Sequence, residues 1–144
     1  DFEDPAVSLL EKESRFRILF SQFVLKHAAS KPIPSKIGAE PEVVSRVKAY
    51  IQAHYSEQIS LTDLSTMTGM SKFYLLRMFS RETGLTPHTY LTHTRASRAR
   101  WMIKNKVLII EAALKAGFYD QSHLNRVFKK IYGITPGQFA RAVS

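Results

Sequence analysis

The sequence predicts an all-α fold of seven helices in which one small helical unit occurs twice. Three observations predict it. The stretch from Leu61 to Tyr90 recurs imperfectly from Ile109 to Phe139. Gly69 aligns with Gly117 at an offset of 48, and Arg77, Phe79, Gly84, Thr86 and Pro87 align with Arg126, Phe128, Gly133, Thr135 and Pro136 at an offset of 49. Apolar residues after residue 42 recur at helical rather than alternating spacing, so strands find no place. Glycines and short polar residues then mark where helices stop and start.

The elements follow in order. Residues 1–29 read as a helical extension, one helix or two, with Leu9, Phe16, Leu19, Phe20 and Phe23 along one apolar stripe. Residues 30–41 hold three of the six prolines and no helical period, so they read as a linker. After Pro41, Val43 or Val44, Val47, Tyr50, Ile51 and Tyr55 carry the first helix. Ser60 starts a second, with Asp63 three residues on as a short-armed capping box, and Gly69 stops it. Ser71 caps a third, which Gly84 ends near Thr83. Thr86 and Pro87 open a fourth, ending near Asn105. The fifth runs from about Leu108 to Ala116. Asp120 caps the sixth, Gly133 ends it, and Thr135-Pro136 with Gln138 opens a short seventh.

At 144 residues the chain is long enough for one core plus an appendage. It has no cysteine, which excludes disulfides and thiolate zinc sites. No apolar run approaches a membrane span, and no signal peptide is evident; a soluble cytoplasmic protein with no membrane partner is expected. The net charge of +9 lies entirely in residues 41–144, because residues 1–40 hold six Lys/Arg and six Asp/Glu. That asymmetry favours a polyanionic partner.

Two short helices crossing steeply need a small residue where they approach and a glycine in the turn four residues later. Ser65 with Gly69, and Ala113 with Gly117, meet both requirements, so each repeat reads as a helix-turn-helix subdomain. Leu75, Met78 and Phe79 form the inward face of the third helix; Leu124, Val127 and Phe128 form that of the sixth. The outward faces then present Lys72, Phe73, Leu76, Arg77 and Ser80 in one unit. In the other they present Gln121, Ser122, Asn125, Arg126 and Lys129. Such helices fit the major groove of double-stranded DNA, where arginine binds guanine and Asn or Gln binds adenine. Phe73 and Leu76 suit thymine methyl groups. The plainer alternative makes Arg77 and Arg126 solvated residues or salt-bridge partners.

The long connector supports the first reading. Pro87 to Asn105 is 19 residues, about 28 Å of helix, against ~34 Å between successive major grooves on one face of DNA. Arg95, Arg98, Arg100 and Lys104 on this rod are candidates for phosphate contact, or else a solvated helix face. Lys106 is expected to add affinity without sequence preference. Trp101 and Tyr90 read as core residues.

The runs G-M-S-x-x-Y-L-x-R-x-F-x-x-x-x-G-x-T-P (Gly69–Pro87) and G-F-x-D-Q-S-H-L-x-R-x-F-K-K-x-x-G-x-T-P (Gly117–Pro136) resemble the two DNA-binding units of the AraC/XylS family of transcription regulators. The resemblance covers residues 42–143, and the second run, with its extra turn residue, is highly specific. It implies that the third and sixth helices enter the major groove and the fourth connects them. Carried over by position, it implies base-reading roles for Phe73, Leu76 and Arg77, and for Gln121, Ser122, His123, Asn125 and Arg126. Two positions depart from the family pattern. Leu76 stands where a polar residue is common, and Ala112 where a larger aliphatic is usual, which loosens the expected packing of the fifth helix.

The resemblance further implies an activator that engages RNA polymerase. It also implies that residues 1–29 are the tail of a separate sensor or dimerisation domain through which homodimers form. An extra helix folded back on the domain is the simpler alternative. No cofactor, metal or catalytic constellation is expected: the five histidines offer no i,i+4 pair with a third ligand, and no phosphate loop or nucleophile context occurs. Two competing functions remain, a basic protein-interaction module and a non-specific architectural DNA binder.

Overall fold

The structure, a computed structural model, describes residues 40–144. It contains seven helices: α1 (Glu40–His54), α2 (Leu61–Thr68), α3 (Lys72–Thr83), α4 (Pro87–Lys104), α5 (Ile109–Lys115), α6 (Gln121–Tyr132) and α7 (Pro136–Ala142). No strand occurs among the described residues. The expected helical extension at residues 1–29 and the linker up to residue 39 lie outside them. The last two residues of the expected linker belong instead to α1. Pro41 is tolerated in a first turn because its missing N–H has no partner there, and Glu40 and Glu42 suit the positive end of the helix.

The helix starts follow from local chemistry. Ser60 and Asp63 form a full capping box: the Asp63 amide donates to Ser60 Oγ at 3.0 Å and the Ser60 amide to Asp63 Oδ2 at 2.8 Å. Those hydrogen bonds hold the Asp63 carboxyl below its ordinary value. Thr135 and Gln138 repeat the box at α7. Ser71, Thr86 and Asp120 cap α3, α4 and α6 through the amides of Tyr74, Thr89 and His123. α5, with Leu108 at its N-cap, has no side-chain cap.

Two apolar cores result. α1 brings Val43, Val44, Val47 and Ile51 against Leu64 of α2 and Leu75, Met78 and Phe79 of α3, closed by Leu91 from α4. The second core joins Ala96, Ala99 and Ile103 of α4 to Ala112 and Ala113 of α5, with Phe118, Leu124 and Phe128. Every alanine in it is fully buried. Ala112 therefore does not loosen α5; small side chains on both α4 and α5 let the two helices pack closely. In the longer turn of the second unit Phe118 enters this core, its amide donating to the Ala113 carbonyl at 3.0 Å.

One of the two aromatic placements on α4 differs from expectation. Trp101 is 64% exposed, on the side of α4 that carries Ser97 and Lys104. Tyr90 does sit against the first core, edge-on to Phe79, with its hydroxyl accepting from Gln52 Nε2 at 2.7 Å. No helix among the described residues is long and apolar enough to cross a membrane.

Candidate nucleic-acid interface

The two repeats place α3 and α6 in the same role, each as the second helix of a helix pair. Gly69 and Gly117 both take positive φ in the intervening turns. In the first unit the Ser65 hydroxyl donates to the Met70 carbonyl, so Ser65 ties the turn as well as being small. Ser71 and Asp120 then start the two outward helices in equivalent registers.

On α3 the inward face is as expected: Leu75, Met78 and Phe79 are buried. Lys72, Phe73 and Arg77 are exposed, Phe73 to 76%. Leu76 is only half exposed, because it lines an apolar recess with Leu61, Leu64, Pro87 and Leu91. Ser80, expected on the outer face, is turned inward. Its hydroxyl oxygen is buried and has no hydrogen-bond partner among the described residues.

On α6, Leu124 and Phe128 are buried and Val127 packs beside them. Ser122, Arg126 and Lys129 are exposed, whereas Gln121, His123 and Asn125 are half buried. The His123 ring stands edge-on to Phe118 with centroids 5.2 Å apart, which fixes its orientation. Six of the ten residues singled out from the sequence thus lie fully on the outer faces. Leu76, Gln121, His123 and Asn125 flank them.

Among the described residues neither Arg77 nor Arg126 has a carboxylate partner. Their neighbour Arg81, by contrast, is held by Glu40, which also accepts from the Tyr74 hydroxyl. The structural salt-bridge alternative therefore fits Arg81 and not the two aligned arginines. Tyr119, 87% exposed beside the cap of α6, is a further outward side chain that the sequence reading passed over. An aromatic residue between a core Phe118 and a capping Asp120 was its only signal.

The basic residues of α4 divide. Arg95 is buried, its guanidinium donating to the carbonyls of Tyr55 and Glu57, and burial lowers its pKa. Offered by the sequence as a phosphate contact or part of a solvated face, it is instead internal. Arg98 and Arg100 are exposed, lying over the rings of Tyr55 and Tyr132 at 5.3 and 5.0 Å. Lys104 is exposed. Lys106 has a positive φ of 68° and donates to the Val143 carbonyl at 3.2 Å, so replacing it perturbs the backbone as well as the charge. No group of three or more His, Asp or Glu among the described residues is placed to hold a metal.

Two capped helices presenting aligned arginines, with no acidic partner among the described residues, on a basic scaffold of seven described helices define a double helix-turn-helix protein. A family model described as a helix-turn-helix domain matches residues 64–142. The HTH-type transcriptional regulator YbfI of Bacillus subtilis is 35% identical over 115 residues, 80% of this chain and 42% of that protein. The Msm operon regulatory protein of Streptococcus mutans is 25% identical over 126 residues, 87% of this chain and 44% of its own length. The chain thus spans less than half the length of both relatives.

Among solved structures, the C-terminal domain of AraT, a response regulator from Geobacillus stearothermophilus, superposes with a TM-score of 0.66 at 30% identity, covering 69% of this chain and 84% of that one. The DNA-binding domain of AdpA, a global transcriptional factor solved with a target DNA, gives 0.65 at 25% identity, covering 69% and 90%. The chain belongs to the AraC/XylS family of helix-turn-helix transcription regulators, a family of DNA-binding proteins and not of enzymes.

Proposed function

We propose that this chain is the DNA-reading part of a transcription activator that inserts α3 and α6 into successive major grooves of one double-stranded site. The observation that carries the reading is the pair of exposed arginines at equivalent positions, Arg77 and Arg126, each without an acidic partner among the described residues. A guanidinium left unpaired on the outer face of a helix is free to bind guanine O6 and N7 bidentately. Lys72, Phe73 and Leu76 complete the first reading surface; Gln121, Ser122, His123, Asn125 and Lys129 complete the second. α4 spans 18 residues, about 27 Å, a length suited to holding two heads ~34 Å apart. Arg98, Arg100 and Lys104 supply backbone phosphate contacts beside it.

In the cell the protein acts in the cytoplasm, engages RNA polymerase, and dimerises through a separate sensor or dimerisation domain of which residues 1–29 are the tail. Selection of genomic DNA by this chain, followed by sequencing, tests the reading. The expected sites are non-palindromic, with two boxes about one helical turn apart. Recovery of DNA with no enriched sequence overturns it in favour of an architectural binder, and failure to retain DNA at all favours a protein-interaction module. The ratio of specific to non-specific affinity decides between these, because salt dependence alone is steep for both kinds of DNA binding.

A further inference from the structure

The two heads have separate apolar cores, and the joint between them is polar. α4 gives Leu91 to the first core and Ala96, Ala99 and Ile103 to the second. Between Leu91 and Ala96 sits Arg95, only 9% exposed. Its Nε donates to the Tyr55 carbonyl at 2.6 Å and its Nη2 to the Glu57 carbonyl at 2.7 Å. Those carbonyls belong to the turn after α1, where a helix leaves unsatisfied acceptors and partial negative charge.

The other head meets the same turn through Gly117. A Cβ at this position would stand 2.9 Å from the Tyr55 carbonyl oxygen, 2.9 Å from Ser56 Cα and 2.9 Å from Arg95 Nε. The Gly117 φ of +95° disfavours any side chain as well. Gly69, its counterpart in the first repeat, has nothing within 4 Å of the same virtual atom. The two repeats therefore differ here for a reason outside the helix-turn-helix geometry. Arg98 adds a second tie, its guanidinium 5.3 Å from the centre of the Tyr55 ring.

We infer that Arg95 and Gly117 are positioning residues, forming a clasp on the Tyr55–Glu57 turn that sets the orientation and spacing of α3 relative to α6. This rests on the DNA-reading role proposed above. With the clasp closed, the protein measures the separation of two boxes as well as reading each. Burial of apolar surface is non-directional, whereas a guanidinium fork holding two carbonyls fixes an angle. The lever is long enough to matter. A tilt of about 10° at the middle of α4 moves a head about 13 Å away by roughly 2 Å, more than a bidentate base contact tolerates.

The chain has no cysteine, so spin labels at Ala49→Cys in α1 and Lys130→Cys in α6, both exposed positions, report the separation of the heads without DNA. The parent chain is expected to give one narrow distance distribution. Arg95→Met and Gly117→Ala are each expected to broaden or shift it while circular dichroism retains the helical content. On DNA found by selection, both variants are expected to bind two-box duplexes about tenfold more weakly or worse and to lose their preference for one spacing. Either box alone is expected to change by about twofold or less, because only the linked, second binding event depends on geometry.

A broad distribution in the parent, unchanged distributions in both variants, or equal weakening on one-box and two-box duplexes overturns the clasp. Should both variants unfold, Arg98→Ala at an exposed position decides: broadening supports the clasp and an unchanged distribution overturns it. A narrow, clasp-dependent distance in a chain that binds neither duplex removes the DNA-reading role and leaves the clasp standing.

Discussion

Replacing Arg126 by alanine separates reading from folding, because the structure gives this side chain nothing to hold. It is exposed on α6 and has no carboxylate partner among the described residues. Truncation leaves no buried group unsatisfied and opens no cavity, so folding stability is expected to change by about 0.5 kcal/mol or less. Binding is a different matter. A bidentate arginine–guanine contact is worth about 1–3 kcal/mol of discrimination, or about 5- to 150-fold at ~1.4 kcal/mol per decade. Fluorescence anisotropy at one fixed salt concentration, on a selected site and on a version scrambled in the second box, measures both terms. The loss is expected on the selected site and not on the scrambled one. Arg77→Ala is expected to do the same for the first box, and the two losses to add, because the residues lie in different heads. Equal losses on selected and scrambled DNA, or a large fall in melting temperature, would refute the reasoning.

Three further outcomes are expected. Gly69→Ala is expected to cost about 1–2 kcal/mol in denaturant unfolding, the cost of left-handed backbone alone, and Gly117→Ala more, because its Cβ also meets backbone; equal costs would remove the close approach. Asp63, whose folded carboxyl titrates below its ordinary value of 3.8, contributes stability above that value and loses it as pH falls through the folded one. An Asp63 resonance titrating at or above 3.8 would contradict the capping box. Trp101 is the sole tryptophan and is largely exposed, so its emission is expected to be readily quenched by acrylamide and to shift little on unfolding. A large red shift on denaturation would place it in the core after all.

Much of the fold was legible because it is local. A capping box spans four residues, and Ser60–Asp63 and Thr135–Gln138 both form as their spacing requires. Inward faces follow from helical phase, so Leu75, Met78, Phe79, Leu124 and Phe128 are buried where the period places them. The same phase carried more than residue type suggested. Arg95 lies four residues from both Leu91 and Ala99, on the buried stripe of α4, and Trp101 lies four residues after Ser97 on the wet one. Charge in one case and aromatic bulk in the other argued for the opposite side, and phase prevailed, because a rigid helix cannot rotate one residue independently of its neighbours.

The amino-acid sequence by itself determined the double unit, its helix boundaries and the two aligned arginines, since repeat, cap and period are all written within a few residues of one another. Only the tertiary structure decided which cations are free. Among the described residues Arg77 and Arg126 have no carboxylate partner, Arg81 is taken by Glu40, and Arg95 by the turn after α1. It alone also decided that Gly117, and not Gly69, is crowded. Each of these outcomes depends on a partner distant in the chain, and proximity between distant segments exists only once both cores have packed.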